Sequence, residues 1–268
     1  LAPKSIRLGI VGTNETVQGL RSWLEKCREE IPAKSSNKPN LFPRFPGFST
    51  DTGFQSTLIM DSSMERIIRQ FDIDALKKFG SINLVVKEAV SIFYEELKYL
   101  ADKAKIDVLV CALPESLLSQ LQSLAMPIRS RVKEEEQEKI EKQDVNEDEN
   151  ADAPAVGAID DEASDEIESK VLLNLHHMLK ATAMGLNIPV QIILPSTYDE
   201  TKKSFGLTND NIKGQRQDEA TRAWNLHTAL YYKAGGVPWR IPRIQSDFTT
   251  CYVGVSFYKN LDESALQT

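Results

Sequence analysis

His176 and Lys180 stand four residues apart in the run His176-His177-Met178-Leu179-Lys180, and Gln191 follows eleven residues later in the apolar stretch Pro189-Val190-Gln191-Ile192-Ile193. Four residues is about one helical turn, so the imidazole and the ammonium group share one helix face. A glutamine in so apolar a run has to find a hydrogen-bond partner, because an unpaired buried amide costs roughly 1–3 kcal/mol. Lys233 ends a later helix-period segment, just before Ala234-Gly235-Gly236. One imidazole, one amide and two ammonium groups make a donor set suited to an anion the size of a phosphate. Each residue also has an ordinary reading. Lys180 is a solvated helix position, Lys233 compensates a helix dipole, His176 is a half-buried histidine, and Gln191 caps a sheet edge. Spacing alone favours the ordinary readings.

The elements that must position these residues follow from hydrophobic periodicity. Ile6–Val11 reads as a short buried strand ending in the turn and helix N-cap Gly12-Thr13-Asn14. A helix is predicted over Glu15 to Glu30, with Val17, Leu20, Leu24 and Cys27 on one face. Pro32 to Phe48, with four prolines and no period, reads as an irregular excursion. Thr57–Met60 is a weak strand, Met64–Gln70 a short helix, and Asn83–Ala104 a long helix whose apolar stripe is Val86, Ala89, Val90, Phe93 and Leu97. Asp107–Leu113 is the clearest buried strand, continuous and rich in β-branched residues. Leu117–Met126 is amphipathic. Helices over Lys170–Met184 and Asp218–Tyr232 flank a strand at Val190–Leu194 and a polar loop, and Gly235-Gly236 closes the second helix. Val237–Ile241 and Thr250–Tyr258 read as further strands. Strands alternating with helices imply a mainly parallel sheet covered on both faces, a doubly wound α/β domain whose ligands gather at the carboxyl ends of its strands. Neither a P-loop nor a GxGxxG dinucleotide fingerprint is present.

Charge is unevenly distributed along this frame. The 268 residues carry 32 Lys+Arg against 39 Asp+Glu, a net charge of −7. That balance argues against nucleic acid, which calls for a basic protein. Between Glu134 and Glu168, however, 16 acidic residues face only Lys139 and Lys142, a local balance of −14; the remainder holds 30 basic against 23 acidic residues, or +7. Most of this low-complexity acidic insert (130–169) is expected to be disordered. It reads as a solvated insertion, or more sharply as a screen that repels non-specific nucleic acid from a nearby pocket. The three cysteines, Cys27, Cys111 and Cys251, are far apart and fit neither a disulfide framework nor a zinc site, so a reducing, cytoplasmic setting is expected. No apolar run approaches the roughly 20 residues that span a bilayer, and no membrane association is expected. Leu1 is not Met, and Thr268 falls just after a strand, so the chain reads as a fragment.

Four stretches, taken in order, resemble Argonaute proteins: Val108-Leu109-Val110-Cys111-Ala112-Leu113-Pro114; Leu175–Lys180 leading to Pro189-Val190-Gln191; Leu226–Trp239, with its Lys-x-Gly-Gly-x-Pro-Trp element; and Cys251–Phe257. The resemblance is to the MID domain and to the first strand of the PIWI domain; the first hundred residues match only in outline. It implies a Rossmann-like doubly wound MID domain with a parallel sheet over residues 1–242 and the start of an RNase H-like PIWI domain over 243–268. In this family the MID pocket holds the 5′ phosphate of a guide strand, and position by position His176, Lys180, Gln191 and Lys233 take that role. His at the first place departs from the usual Tyr or Arg. Where some members carry a further lysine one turn before the Gly-Gly lysine, Ala229 stands here. That departure implies a weaker pocket, or one helped by a divalent ion, Mg2+ bridging the guide phosphate near Gln191.

The first catalytic aspartate of the PIWI domain falls at Ser256, two residues after Gly254. Two-metal cleavage needs carboxylates to hold the ions, so the resemblance implies a guide-strand binder that does not slice. A MID-like sequence at the N-terminus with an inactive PIWI strand resembles the short prokaryotic Argonautes. These implied properties follow: a 5′-phosphorylated guide RNA or DNA, a complementary target strand, expected to be DNA, and a role in prokaryotic defence against invading DNA. The implied protein partner carries an APAZ region fused to a sirtuin-like, TIR or nuclease effector. Two other readings stay open. One is an α/β small-molecule enzyme with His176 or His227 as base, for which no nucleophile elbow is present. The other is a protein-interaction scaffold using the aromatic residues Phe42, Phe45, Phe48 and Phe54.

Overall fold

Ser5–Gly12 forms β1, six of whose eight residues are buried, which suits a strand covered on both faces. A computed structural model describes residues 2–125, 174–202 and 216–239, together with the backbone at 258–259 and 266–267. In chain order the elements are β1, α1 (Asn14–Lys26), β2 (Thr57–Ile59), β3 (Glu65–Ile67), α2 (Gln70–Asp74), α3 (Ile82–Lys103), β4 (Val108–Ala112), helices α4 (115–125) and α5 (174–183), β5 (Val190–Ile193), α6 (Pro195–Tyr198), α7 (Glu219–Lys233), β6 (Tyr258–Lys259) and β7 (Leu266–Gln267). Leu1–Pro238 makes one unit and Trp239–Thr268 a second, in which β6 and β7 pair antiparallel.

The first unit is an α/β domain of Rossmann-like kind. Its sheet runs β2-β1-β4-β5, with β3 also on β1, and all pairings are parallel. The pleat sorts β4 between two cores. Leu109 and Cys111 join α3, α4 and α5, whereas Val108, Val110 and Ala112 join α1 and α7. β5 obeys the same alternation: Val190 and Ile192 lie in the first core and Ile193 in the second. Gln191 shares the parity of Ile193, so its amide belongs to the α7 side of the sheet.

Helix boundaries follow local chemistry. The Thr13 hydroxyl caps α1 by accepting from the Thr16 N–H, and Asp218 caps α7 by accepting from the Thr221 N–H at 3.1 Å. The apolar stripes expected on the first and third helices are buried throughout, including Val17, Leu20 and Leu24 on α1, Cys27 at its C-cap, and Phe93 and Leu97 on α3. Gly12 abuts the start of α1 and β4 so tightly that a Cβ there would lie 2.5 Å from Thr16 Oγ1 and 2.8 Å from the Ala112 carbonyl oxygen. Arg7 and Asp107 tie the entries of β1 and β4 together through two side-chain hydrogen bonds, of 2.9 and 2.5 Å.

Three expectations require correction. Residues Met64–Gln70 are not a helix. A 3-10 turn at Ser62–Met64 leads into β3, which pairs with Ile10, Val11 and Gly12 of β1, and the helix starts only at Gln70. Seven residues are too few for periodicity to separate strand from helix, and the free edge of β1 settles the matter by offering partners. The first helix stops at Lys26, four residues early, where the Cys27 carbonyl accepts instead from the Phe48 N–H at 2.8 Å. Residues 237–239 form no strand: Gly235 turns the chain with φ +82, Val237 is exposed, and Pro238 has no N–H to give. The acidic insert, Cys251, Ser256 and most of the expected strand at Thr250–Tyr258 lie outside the described residues.

Candidate functional site

α5 buries Leu175, Leu179 and Ala183 against the first core. This leaves His176 and Lys180 half-buried on its flank and His177 exposed. α7 buries Leu226, Leu230 and Tyr231 against the second core and ends at Lys233, also half-buried. The two helices thus deliver His176, Lys180 and Lys233 to one neighbourhood. Burial, then the charges of Lys180, His177 and Lys233, holds the His176 imidazole down at about 4. Burial and the Lys180 charge likewise lower the Lys233 ammonium below the usual lysine range. Among the described residues no carboxylate lies within ion-pairing distance of Lys180 or Lys233, and His176 Nδ1 is buried without a hydrogen-bond partner. Ammonium groups with no ion-paired carboxylate among the described residues, beside a neutral imidazole, make an electropositive neighbourhood that would favour an anion.

Gln191, the fourth candidate, sits on β5. Its Nε2 donates to the Ile192 carbonyl at 3.0 Å. Its side chain lines a cavity of about 210 Å³ with Thr197, Gln217, Arg222, Asn225 and Ala229. The structure therefore gathers His176, Lys180 and Lys233 and sets Gln191 on the α7 face of the edge strand. Arg222 is the residue this cavity adds, invisible to spacing. It is buried, donates to the Ser196 and Thr197 carbonyls at 3.1 and 2.9 Å, and pairs with Glu200 at 2.6 Å.

The crevice at the carboxyl ends of β1, β4 and β5, where doubly wound sheets take ligands, is lined by Glu15, Thr16, Gly19, Glu115, Tyr198 and Lys202 and measures about 100 Å³. Lys202 spans it, 2.7 Å from Glu15 and 3.2 Å from Glu115. No local motif marks this trio, because its members lie far apart in the chain.

The expected divalent ion is not matched by these residues. Mg2+ is held by oxygen ligands. Among the described residues no three His, Cys, Asp or Glu side chains converge, and the cation cluster is itself positively charged.

His227, the alternative base, is fully buried among Phe45, Phe48 and Trp23, with ring centroids at 5.0, 5.0 and 6.1 Å. Its Nδ1 lies 2.8 Å from the Ala223 carbonyl, and burial lowers its pKa to about 4. It is a core histidine with no path to a substrate. Phe45, Phe48 and Phe54 are buried in the same cluster and so offer no docking surface. Cys27 and Cys111 are free and buried, the Cys27 thiol pushed up to about 12. Among the described residues no helix is long and apolar enough to cross a membrane. No protein-family profile and no curated protein sequence matches the chain.

Proposed function

We propose that the notch between α5 and α7 holds the terminal phosphate of a nucleic-acid strand, and that the protein is a guide-binding Argonaute of the short prokaryotic kind. The observation that carries this reading is that Lys180 and Lys233 bear on one another with no ion-paired carboxylate among the described residues, beside the unpartnered nitrogen of His176. A protein normally disperses or pairs such charges; a phosphate dianion compensates them with charge-assisted hydrogen bonds. The +7 balance outside the acidic insert supports contacts to the strand beyond its end.

In this reading Lys180 and Lys233 bind the phosphate as point charges, His176 donates to it, and Gln191 orients the strand from the neighbouring face. The chain holds a guide RNA or DNA for recognition of a complementary DNA in the cytoplasm. With Ser256 at the position of a catalytic aspartate, cleavage is left to an APAZ-containing effector partner. Fluorescence anisotropy with 5′-phosphorylated and 5′-hydroxyl oligonucleotides tests the site. Lys180→Ala and Lys233→Ala are expected to weaken the phosphorylated strand at least tenfold while changing the hydroxyl strand little. Equal losses on both strands would reject it.

A further inference from the structure

We propose that the cavity of about 210 Å³ between β5, α6 and α7 is a binding site for a small uncharged molecule, a single planar ring whose edge carries an amide N–H beside its C=O. The site needs no phosphate and is independent of the strand-end reading.

Gln191, Thr197, Gln217 and Asn225 line the cavity, and each has hydrogen-bonding capacity left over among the described residues. Gln191 gives its Nε2 to the Ile192 carbonyl at 3.0 Å and keeps Oε1. Asn225 Nδ2 donates to Gln217 Oε1 at 2.9 Å, which leaves Asn225 Oδ1 to accept and Gln217 Nε2 to donate. Thr197 accepts from Arg222 through its carbonyl, and its hydroxyl is unused. Neither Gln191 Oε1 nor that hydroxyl is enclosed, and Gln217 and Asn225 are exposed residues, so all four groups are within reach of a ligand. Two acceptors and two donors match an amide edge, which offers one of each side by side.

Charge and size narrow the class. Arg222, 6% exposed, is the cavity's one charged residue. Its Nη1 serves the Ser196 and Thr197 carbonyls, its Nη2 meets Glu200 at 2.6 Å, and its Nε is enclosed. A ligand anion finds a guanidinium already balanced, and a ligand cation finds that guanidinium in the wall; either would be desolvated without a counter-charge. A water occupies about 30 Å³ of liquid, so the space equals about seven waters, the size of one six-membered ring with a substituent. Ile193 and Leu226, both buried, and Ala229 supply an apolar surface for the ring face.

Titration of the ¹⁵N-labelled full chain with 2-pyridone, followed by NMR at the side-chain amide signals of Gln191, Gln217 and Asn225, tests the site. Saturable shifts at these signals are expected, with the weak affinity of a small probe. N-methyl-2-pyridone, which keeps the ring and the carbonyl but lacks the N–H, should bind about fivefold more weakly or worse, the loss of one hydrogen bond. Asn225→Leu and Thr197→Val should each weaken 2-pyridone by a similar factor; Asn225 is exposed, so that variant keeps the fold, which an unchanged urea midpoint verifies. Benzoate and benzylammonium, flat rings of opposite charge, should leave the three signals in place. Absence of shifts with 2-pyridone, equal binding of the two pyridones, or tighter binding of either charged ring would overturn the proposal. Displacement of 2-pyridone by a 5′-phosphorylated oligonucleotide would overturn it by assigning the cavity to the strand.

Discussion

Burial, and after it the Lys180 ammonium on α5, lowers the proton affinity of the Lys233 ammonium on α7, so two like charges from helices on opposite faces of the sheet bear on each other. Among the described residues neither has a carboxylate in ion-pairing range, although the same domain pairs Lys26 with Glu219 at 2.6 Å and Lys202 with Glu15 at 2.7 Å. Such repulsion, with no ion pair to relieve it among the described residues, is what the proposed phosphate would offset.

Lys180→Gln should therefore separate binding from folding. Removing one partner of a like-charge pair is expected to leave stability unchanged or raise it by less than about 1 kcal/mol, while affinity for a phosphorylated strand falls. Leu179→Ala, one residue away but fully buried, should do the reverse at first hand, costing about 2–5 kcal/mol of stability. Urea midpoints and strand affinities measured on both variants check the contrast.

Stability should fall on mild acidification. His227 is neutral in the fold with its pKa near 4, against 6.5 when exposed. The unfolded chain therefore binds the extra proton between those values, and stability drops as pH falls through them, by up to about 1.4 kcal/mol per unit. His176 contributes in the same direction. Denaturant melts at stepped pH should show this slope, and His227→Leu should lessen it. An unchanged slope would place the titration elsewhere.

Gly12→Ala forces a methyl group against the Thr16 hydroxyl and the backbone of β4. The expected cost is about 1–3 kcal/mol, seen as a lower urea midpoint. Gly185→Ala, where nothing lies within 4 Å of the new methyl, should shift the midpoint by less than about 0.5 kcal/mol.

Cleavage of a complementary strand by the chain alone is expected to be undetectable with or without Mg2+, because Ser256 supplies no carboxylate at the position the family resemblance assigns to metal binding. A gel assay with a labelled target checks it, and metal-dependent cut products would count against the assignment.

Hydrophobic order was legible in the sequence wherever an element was long. The stripe Val86, Ala89, Val90, Phe93 and Leu97 specifies α3, and the unbroken run of β4 specifies a strand covered on both faces, because 22 and five residues respectively repeat one environment. The i, i+4 placement of His176 and Lys180 was legible for the same reason, being a property of one helix. What required tertiary structure was everything between elements. The side of the sheet on which Gln191 falls depends on the pairing register of β5 with β4, and a shift of one residue would reverse it. The strand at Glu65–Ile67 exists because β1 presents a free edge, a partner that local pattern does not encode. The approach of Lys233 to Lys180, and the bridging of Glu15 and Glu115 by Lys202, join residues from different helices and loops. Sequence spacing carries no distance across a gap in the chain; only the packing of α5 and α7 brings two ammonium groups and a neutral imidazole into one neighbourhood and sets Gln191 on the α7 face of β5.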